Sequence, residues 1–211
     1  MGYIDDKELH ICNLYHAMPY LSCAASNSTL EACMAINSTI FKADIQVNDL
    51  DRHYYENHNL TLARHPSETD ERLMIRLLAF ARHAHEHMSF TKGLSADDEP
   101  ELWQKNYSDE IDVWIDLGQP DEKRIRKACG RAKQVFIYTY NYRSALTWWE
   151  QIKNKLSRFD NLQVLAVPDD VVGSMGQMAN RNMQLQYAIQ DGEVLFTDGE
   201  DAVTINVTKL V

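Results

Sequence analysis

Apolar and polar residues alternate along two neighbouring stretches in the first third of the chain. These stretches are 41–47 (FKADIQV) and 59–63 (NLTLA). Successive side chains of a β-strand point to opposite faces, so a period of two predicts strands that each bury one face. Asn48 and Asp49 favour a turn after the first strand, and we therefore predict an N-terminal hairpin.

The spacing of apolar residues becomes helical after Pro66. Ser67 is a suitable N-cap, and Asp70 three residues later gives a pattern similar to a capping box. An apolar stripe follows, formed by Leu73, Leu77, Leu78 and Ala81. This pattern predicts a long helix that ends near His87.

The rest of the chain alternates between predicted strands and helices. Strands are predicted at 88–94, 111–117, 135–140, 162–167, 184–189, 194–196 and 203–207. A second helix is predicted from about Asp121 to Lys133, and Ser144 is predicted to cap a third. Asp191-Gly192 is the strongest hairpin signal. Together these elements predict a mixed α/β (α+β) domain with several antiparallel strands.

Composition and charge exclude several classes of protein. The 211 residues are 45% hydrophobic and 25% charged, which is typical of a folded globular protein. No run of about 18 apolar residues is present, so the chain is not expected to enter a membrane. The formal net charge of −10 is unusual for a protein that coats nucleic acid, because such proteins are normally basic. It does not exclude a local basic patch.

The first 33 residues differ from the remainder. They contain Cys12, Cys23 and Cys33, whereas the rest of the chain contains only Cys129, a distribution unlike that of a disulfide-stabilised protein. We expect 1–33 to be a poorly structured N-terminal extension and 34–211 to be the functional domain; a short helix at about 7–18 is an equally good interpretation. The N-terminus lacks the basic flank and apolar run of a signal peptide, so a cytoplasmic location is expected.

An acidic strand followed by a basic helix is the most informative chemical pattern. In the strand predicted at 111–117, Asp112, Trp114 and Asp116 share one face, which suggests a sheet face that opens into a cleft. The next predicted helix sets six basic residues against two acidic ones, the basic residues being Lys123, Arg124, Arg126, Lys127, Arg131 and Lys133. Metal-assisted phosphodiester hydrolysis needs such a combination, because carboxylates hold Mg²⁺ and cations stabilise the charge that develops on phosphorus.

Two further patterns have simpler explanations. His83 and His87 have the spacing of a helical metal pair, but the helix dipole also favours histidine near a helix C-terminus. A set of aromatic residues with a period of two could stack on bases, but packing beneath a helix is the simpler prediction, as it is for Trp148 and Trp149. This set is Phe136, Tyr138, Tyr140 and Tyr142.

Five segments carry a specific family resemblance. They are LTLARHPSETDERLMIRLLAFA (60–81), FTKGLSADDEPELW (90–103), IDVWIDLGQPDEKRIRKACGRA (111–132), TYNYRS (139–144) and the pair Trp148-Trp149. In these segments the chain resembles the YaeQ family of small bacterial proteins, from about Met34 to the C-terminus. The resemblance supports Met34 as the start of the domain.

The YaeQ family is similar in fold to the PD-(D/E)XK nucleases. The resemblance therefore implies a restriction-endonuclease-like core, in the order αβββαβ, with additional antiparallel strands. In that group an acidic residue follows a proline, an acidic-x-Lys triplet lies on the next strand, and a glutamate lies on the first helix. Carried over to this sequence, these elements are Pro100-Glu101, Asp116-x-Gly118 and Glu71 (or Glu68).

The sequence departs from the group where Gly118 stands in place of the motif lysine. A lysine of the following helix could occupy the same space, and we expect Lys127 to do so, with Lys123 as the second choice. The resemblance thus implies a catalytic set in which the first three residues hold Mg²⁺ or Mn²⁺: Glu71, Glu101, Asp116 and Lys127.

Two functions from different classes follow from these patterns. The first is a Mg²⁺-dependent phosphodiesterase that acts on nucleic acid, with Lys123, Arg124 and Arg131 contacting its phosphates. The second is a nuclease-fold protein that has lost catalysis and binds nucleic acid or a protein partner, which Gly118 and the net charge favour. A protein-interaction module that uses the aromatic strand and the acidic segment 95–101 is a third interpretation.

Overall fold

A computed structural model describes residues 38–93 and 98–211. The predictions for the extension at 1–33, the helix at about 7–18 and the start at Met34 lie outside these residues, as does part of the acidic segment. The described residues form eleven strands and four helices. The strands are β1 (Thr39–Asp49), β2 (Tyr54–Arg64), β3 (Met88–Phe90), β4 (Leu102–Lys105), β5 (Ile111–Leu117), β6 (Ala132–Thr139), β7 (Leu162–Ala166), β8 (Asn182–Gln190), β9 (Glu193–Thr197), β10 (Ala202–Ile205) and β11 (Thr208–Lys209). The helices are α1 (Asp70–Arg82), α2 (Glu122–Arg131), α3 (Tyr142–Leu156) and α4 (Asp169–Gln177).

A five-stranded sheet has the order β10-β9-β8-β1-β2. The predicted hairpin is confirmed, because β1 and β2 pair antiparallel with Phe41 opposite Leu62. β1 pairs parallel with β8, so the sheet is mixed. Asp191 and Gly192 connect β8 to β9 with φ angles of 54° and 78°, the left-handed conformation that a two-residue hairpin turn requires.

A six-stranded sheet has the order β11-β7-β6-β5-β4-β3. β5, β6 and β7 are parallel, and helices α2 and α3 connect them; β3 and β4 add antiparallel strands at one edge. With two mixed sheets and four helices among the described residues, the predicted mixed α+β fold is confirmed.

Helix α1 forms the centre of the larger core and contacts both sheets. Every residue from Leu73 to Ala81 is buried, including Arg76. Thr69 is the N-cap, and its hydroxyl accepts a hydrogen bond from Arg72 N at 3.3 Å. The N-cap therefore lies two residues later than the predicted cap at Ser67. The helix ends at Arg82, earlier than predicted, because the chain turns into β3.

Helix α4 was not predicted. Its sequence, DDVVGSMGQ, contains two glycines, which lower helix propensity. The packing of α4 against α1 explains why glycine is used. A Cβ at Gly176 would lie 2.8 Å from Cγ of Glu71, so only glycine lets the two helices approach this closely.

The second core lies on the opposite face of the six-stranded sheet, beneath α2 and α3. Trp114 is 1% exposed and packs there with Ile125 and Cys129 of α2. The face that carries Trp114 is therefore covered by the apolar stripe of α2 at Trp114, and the predicted opening into a cleft is found only at Asp116, near the end of β5. Burial raises the pKa of the Cys129 thiol to about 11.

The simpler prediction for the aromatic residues, packing beneath a helix, holds in part, because Tyr142 is exposed and Trp148 is only partly buried. Phe136 and Tyr138 are buried in the larger core, and Trp149 is buried in the second. No helix among the described residues is both long enough and apolar enough to cross a membrane.

Candidate functional site

A cleft of about 480 Å³ lies where β5 and β6 end. Ligands of open α/β sheets commonly bind at the carboxyl ends of parallel strands, because the loops diverge there. The cleft is lined by Arg72, Gly93, Glu101, Asp116, Leu117, Gly118, Gln119, Pro120, Arg124, Tyr140, Asn141 and Ser144.

Two buried carboxylates enter this cleft from adjacent strands. In the register of β4 and β5, Leu102 pairs with Ile115, and Glu101 N donates to Ile115 O at 2.9 Å. Glu101 and Asp116 are therefore neighbours one residue beyond that pair. They are 4% and 2% exposed, so each needs a counter-charge.

Asp116 is held by Arg124 and by its own strand. Arg124 donates from Nη2 to Oδ1 at 2.7 Å and from Nε to Oδ2 at 3.1 Å. Trp114 Nε1 donates to Oδ2 at 2.9 Å. The first turn of α2 positions Arg124, because the N-cap Asp121 accepts from Arg124 N at 2.7 Å. This bidentate pair fixes the position of the Asp116 carboxylate.

Glu101 is held by the guanidinium of Arg72, which donates from Nη2 to Oε1. Arg72 also donates from Nη1 to Tyr140 Oη at 3.1 Å. Although burial opposes its charge, Glu101 and the Tyr140 hydroxyl raise the pKa of Arg72 above its usual value. Oε2 of Glu101 is buried without a hydrogen-bond partner among the described residues, and Arg76 Nη1 is 3.9 Å away from it.

A third carboxylate, Glu68, lies behind Glu101. Its Oε2 is 3.5 Å from Arg76 Nη1, so Arg76 links the two glutamates. Burial, reinforced by the charge of Glu101, raises the pKa of Glu68 despite the opposing effect of Arg76. The buried network of α1 thus brings Glu68 close to Glu101, whereas Glu71 packs against Gly176 and does not line the cleft.

Three of the predicted basic residues lie outside the cleft lining. Lys127 is exposed and pairs with Asp98, which lowers the pKa of that carboxyl. Arg131 lies 5.3 Å above the Trp114 ring and donates to Asp98 O at 3.2 Å. Lys123 is exposed too, and its side chain has no ion pair within the described part of the chain.

Arg72 is the charged residue of this cleft that the sequence analysis missed. Gly118 has a φ of 86°, and a Cβ placed on it would lie 3.5 Å from Arg72 Nη1 and 4.0 Å from Tyr140 Oη. The guanidinium therefore stands in the direction that a side chain at 118 would take. No local signal identifies this arrangement, because Arg72 and Gly118 meet only after α1 packs against the sheet.

Within residues 38–93 and 98–211, no group of three or more His, Cys, Asp or Glu side chains is arranged to hold a metal ion. The possible helical metal pair does not form. His83 Nε2 is 2.9 Å from Tyr138 Oη, and His87 lies beyond the end of α1 with its ring against Tyr107.

The family model and two similar sequences all identify the same family. The family described as "YaeQ protein" matches residues 34–207. The chain is 48% identical over 175 residues to "Uncharacterized protein YaeQ" of Escherichia coli (strain K12), covering 83% of this chain and 97% of that protein. Salmonella typhi has a relative of the same name at 47% identity, with the same coverage.

Two crystal structures are similar in fold. The YaeQ protein from Xanthomonas axonopodis pv. citri superposes with a TM-score of 0.80 at 45% identity, covering 82% of this chain and 98% of that chain. The YaeQ protein from Pseudomonas syringae gives a TM-score of 0.79 at 34% identity, covering 82% and 96%.

Proposed function

The chain belongs to the YaeQ family, and from this premise and the chemistry of the cleft we propose that it is a divalent-cation-dependent phosphodiesterase of the PD-(D/E)XK type that acts on nucleic acid. The observation that carries the proposal is the β4–β5 register, which brings Glu101 and Asp116 into one cleft. The element order from α1 to β6 supports it, because helix, three strands, helix and strand is the order of a restriction-endonuclease-like core.

Glu101 and Asp116 are the residues that would hold Mg²⁺ or Mn²⁺. Two carboxylates are sufficient, because Mg²⁺ keeps several waters and takes further ligands from substrate phosphates. Oε2 of Glu101 accepts no hydrogen bond from the described residues and so offers an oxygen to a cation, whereas at Asp116 a cation competes with Arg124. The bound cation supplies a nucleophile near neutral pH, because it lowers the pKa of a water ligand.

In this proposal Arg72, and not Lys127, performs the role of the motif lysine that is missing at Gly118. The guanidinium of Arg72 lies along the direction of a side chain at Gly118 and lines the cleft, whereas Lys127 pairs with Asp98. A guanidinium binds phosphate oxygens through two parallel hydrogen bonds and stays charged at any working pH. Arg72 therefore orients the phosphodiester and stabilises the charge that develops on it.

A cleavage assay tests the proposal. Purified protein is incubated with single- and double-stranded DNA and RNA in Mg²⁺ or Mn²⁺, and products are separated by gel electrophoresis. We expect cleavage of at least one substrate, with Asp116→Asn, Glu101→Gln and Arg72→Ala slower by roughly 100-fold or more. Arg72→Lys should retain more activity than Arg72→Ala, because it keeps the charge.

Lys127→Ala is the matched control, because it removes an exposed cation that does not line the cleft. It should cleave at the wild-type rate. Circular dichroism and thermal unfolding of each variant separate loss of activity from loss of fold. The proposal is wrong if every substrate stays intact with both cations, or if Asp116→Asn cleaves as fast as the wild type.

Nucleic-acid binding without turnover is the second candidate, favoured by the arginine pairing of both carboxylates. In that case the cleft binds a phosphate between Arg72 and Arg124 and releases no product. Binding would then weaken as salt rises and would be lost with Arg124→Ala. A catalytically silent protein that binds no nucleic acid but retains one stoichiometric protein partner would contradict both candidates.

A further inference from the structure

A second groove adjoins the cleft and shares part of its wall. Its volume is about 690 Å³, and Gln119, Asn141 and Ser144 line both cavities. Its other lining residues, mostly from the first half of α3, are Arg143, Thr147, Trp148, Gln151 and Asp169. We call this cavity the α3 groove. The two cavities are therefore adjacent, with these three side chains at their common boundary.

The ring of Trp148 is a fixed part of this wall. Its Nε1 donates to Pro120 O at 3.0 Å, and its centroid is 6.0 Å from that of Trp149, which is buried. The indole is therefore anchored at one edge and supported by a second ring, while the residue stays only partly buried. A ring held in this way offers a preorganised stacking surface, because little rotamer freedom remains to be lost on binding.

Arg143 supplies an uncommitted cation next to this ring. It is exposed, and its guanidinium has no hydrogen bond or ion pair within residues 38–93 and 98–211. The groove also contains one carboxylate, Asp169, whose Oδ1 accepts a hydrogen bond from Tyr142 N at 2.8 Å. Ser144 and Gln119 bond to each other at 3.0 Å and add only neutral polar groups. A phosphate bound at this wall can pair with Arg143, and it also meets the negative charge of Asp169, which has no cation partner among the described residues.

We propose that the α3 groove holds a single strand of nucleic acid running out of the cleft, with a base stacked on Trp148 and a phosphate bound by Arg143. The proposal rests on the proposed function, because it takes the cleft to hold the phosphodiester. A single strand is the class of ligand that fits, since its unpaired bases expose faces that an aromatic ring can stack on. In a duplex those faces are covered by neighbouring base pairs, so the groove would favour single-stranded substrate.

Binding in EDTA tests this inference separately from cleavage. Anisotropy of a labelled oligonucleotide of about 12 nucleotides is measured against a blunt duplex of the same sequence, in DNA and RNA forms. The wild type should bind the single strand more tightly. Trp148→Ala should weaken this binding roughly 5- to 150-fold, the range for loss of one stacked base, and Trp148→Phe should weaken it less.

Arg143→Ala keeps the test valid if the tryptophan variants fold poorly, because Arg143 is exposed and its side chain makes no ion pair with any other described residue. It should weaken binding at low salt and reduce the slope of log K against log salt by about one. Lys153→Ala is the matched control: it removes the same charge from the same helix, but Lys153 is not in the groove lining. Its binding should equal that of the wild type.

The outcomes separate the two proposals. If the duplex binds as tightly as the single strand, or if Arg143→Ala and Trp148→Ala both bind like Lys153→Ala, the inference is wrong. If cleavage is seen in Mg²⁺ but does not depend on Trp148 or Arg143, the inference fails and the proposed hydrolysis stands. If binding depends on both residues but no substrate is cleaved, the groove stands as a binding site and the proposed hydrolysis fails.

Discussion

Acidification from neutral pH is expected to destabilise the fold through His83. This residue follows the last turn of α1, and its Nε2 lies 2.9 Å from Tyr138 Oη. Its ring centroid is 4.2 Å from that of Phe136. Burial is the main cause that lowers the pKa of His83 to about 3, and the guanidiniums of Arg82 and Arg52 lower it further.

The magnitude follows from the two protonation equilibria. In the unfolded chain the imidazole binds a proton near its ordinary value of 6.5, whereas in the folded protein it does so only near 3. Between these values the unfolded state binds more protons, so the free energy of unfolding falls as the pH falls. From about pH 7 to about pH 5 the loss is about 2 kcal/mol. This is a large share of the roughly 5–15 kcal/mol that stabilises a typical domain.

Urea unfolding of the wild type and of His83→Gln at about pH 7, 6 and 5 measures this loss. Glutamine keeps a group that can hydrogen-bond Tyr138 but never becomes charged. The variant will be less stable at neutral pH because its packing differs. The wild type should nevertheless lose about 2 kcal/mol more than the variant on acidification. Equal losses would show that His83 does not carry this pH dependence, and the reasoning from its burial would be refuted.

Two further substitutions test the packing and the site. The Tyr187 hydroxyl is fully buried without a hydrogen-bond partner in the described structure, and burial raises its pKa. Tyr187→Phe should therefore leave the free energy of unfolding unchanged or raise it by about 1 kcal/mol, and a clear loss in urea unfolding would contradict this. Asp121→Ala removes the N-cap of α2, which should cost about 1 kcal/mol in the same measurement. It should also slow any cleavage, because Asp121 accepts from Arg124 N; a variant as stable and active as the wild type would contradict this.

The elements that the sequence predicted well are those that bury one face, because such burial gives a regular spacing of apolar residues. β1 has buried residues at every second position from Phe41 to Asp49, so its period of two was clear. The turn at Asp191-Gly192 was equally clear, because few residues adopt the left-handed conformation that it needs. Helix α4 was missed because its stability comes from packing against α1 through Gly176, and no local pattern contains that contact.

The residues of the candidate site also differ in how well the sequence predicted them. Glu101 and Asp116 could be selected because the resemblance to the PD-(D/E)XK group implies an acidic residue after a proline and a second one near the end of the next strand. The arginines that pair with these two carboxylates could not be predicted as well. Arg124 was predicted only as a phosphate contact, and Arg72 was not predicted at all, because it reaches Glu101 across 29 positions of sequence. Which cation meets which carboxylate depends on how helices pack on a sheet.

The arginine pairing also bears on how an acidic protein would act on an anionic polymer. With Arg72 on Glu101 and Arg124 on Asp116, the cleft is close to neutral despite the net charge of −10. Guanidiniums that bind carboxylates bind phosphates by the same geometry. In the proposed function, a phosphodiester that enters the cleft competes for these guanidiniums and frees carboxylate oxygens as it binds. Affinity for Mg²⁺ would then rise with substrate, because the freed oxygens and the phosphate are both ligands of that cation. Gly118 fits this scheme, since a fixed lysine there would occupy the space in which Arg72 now reaches either Glu101 or the phosphate.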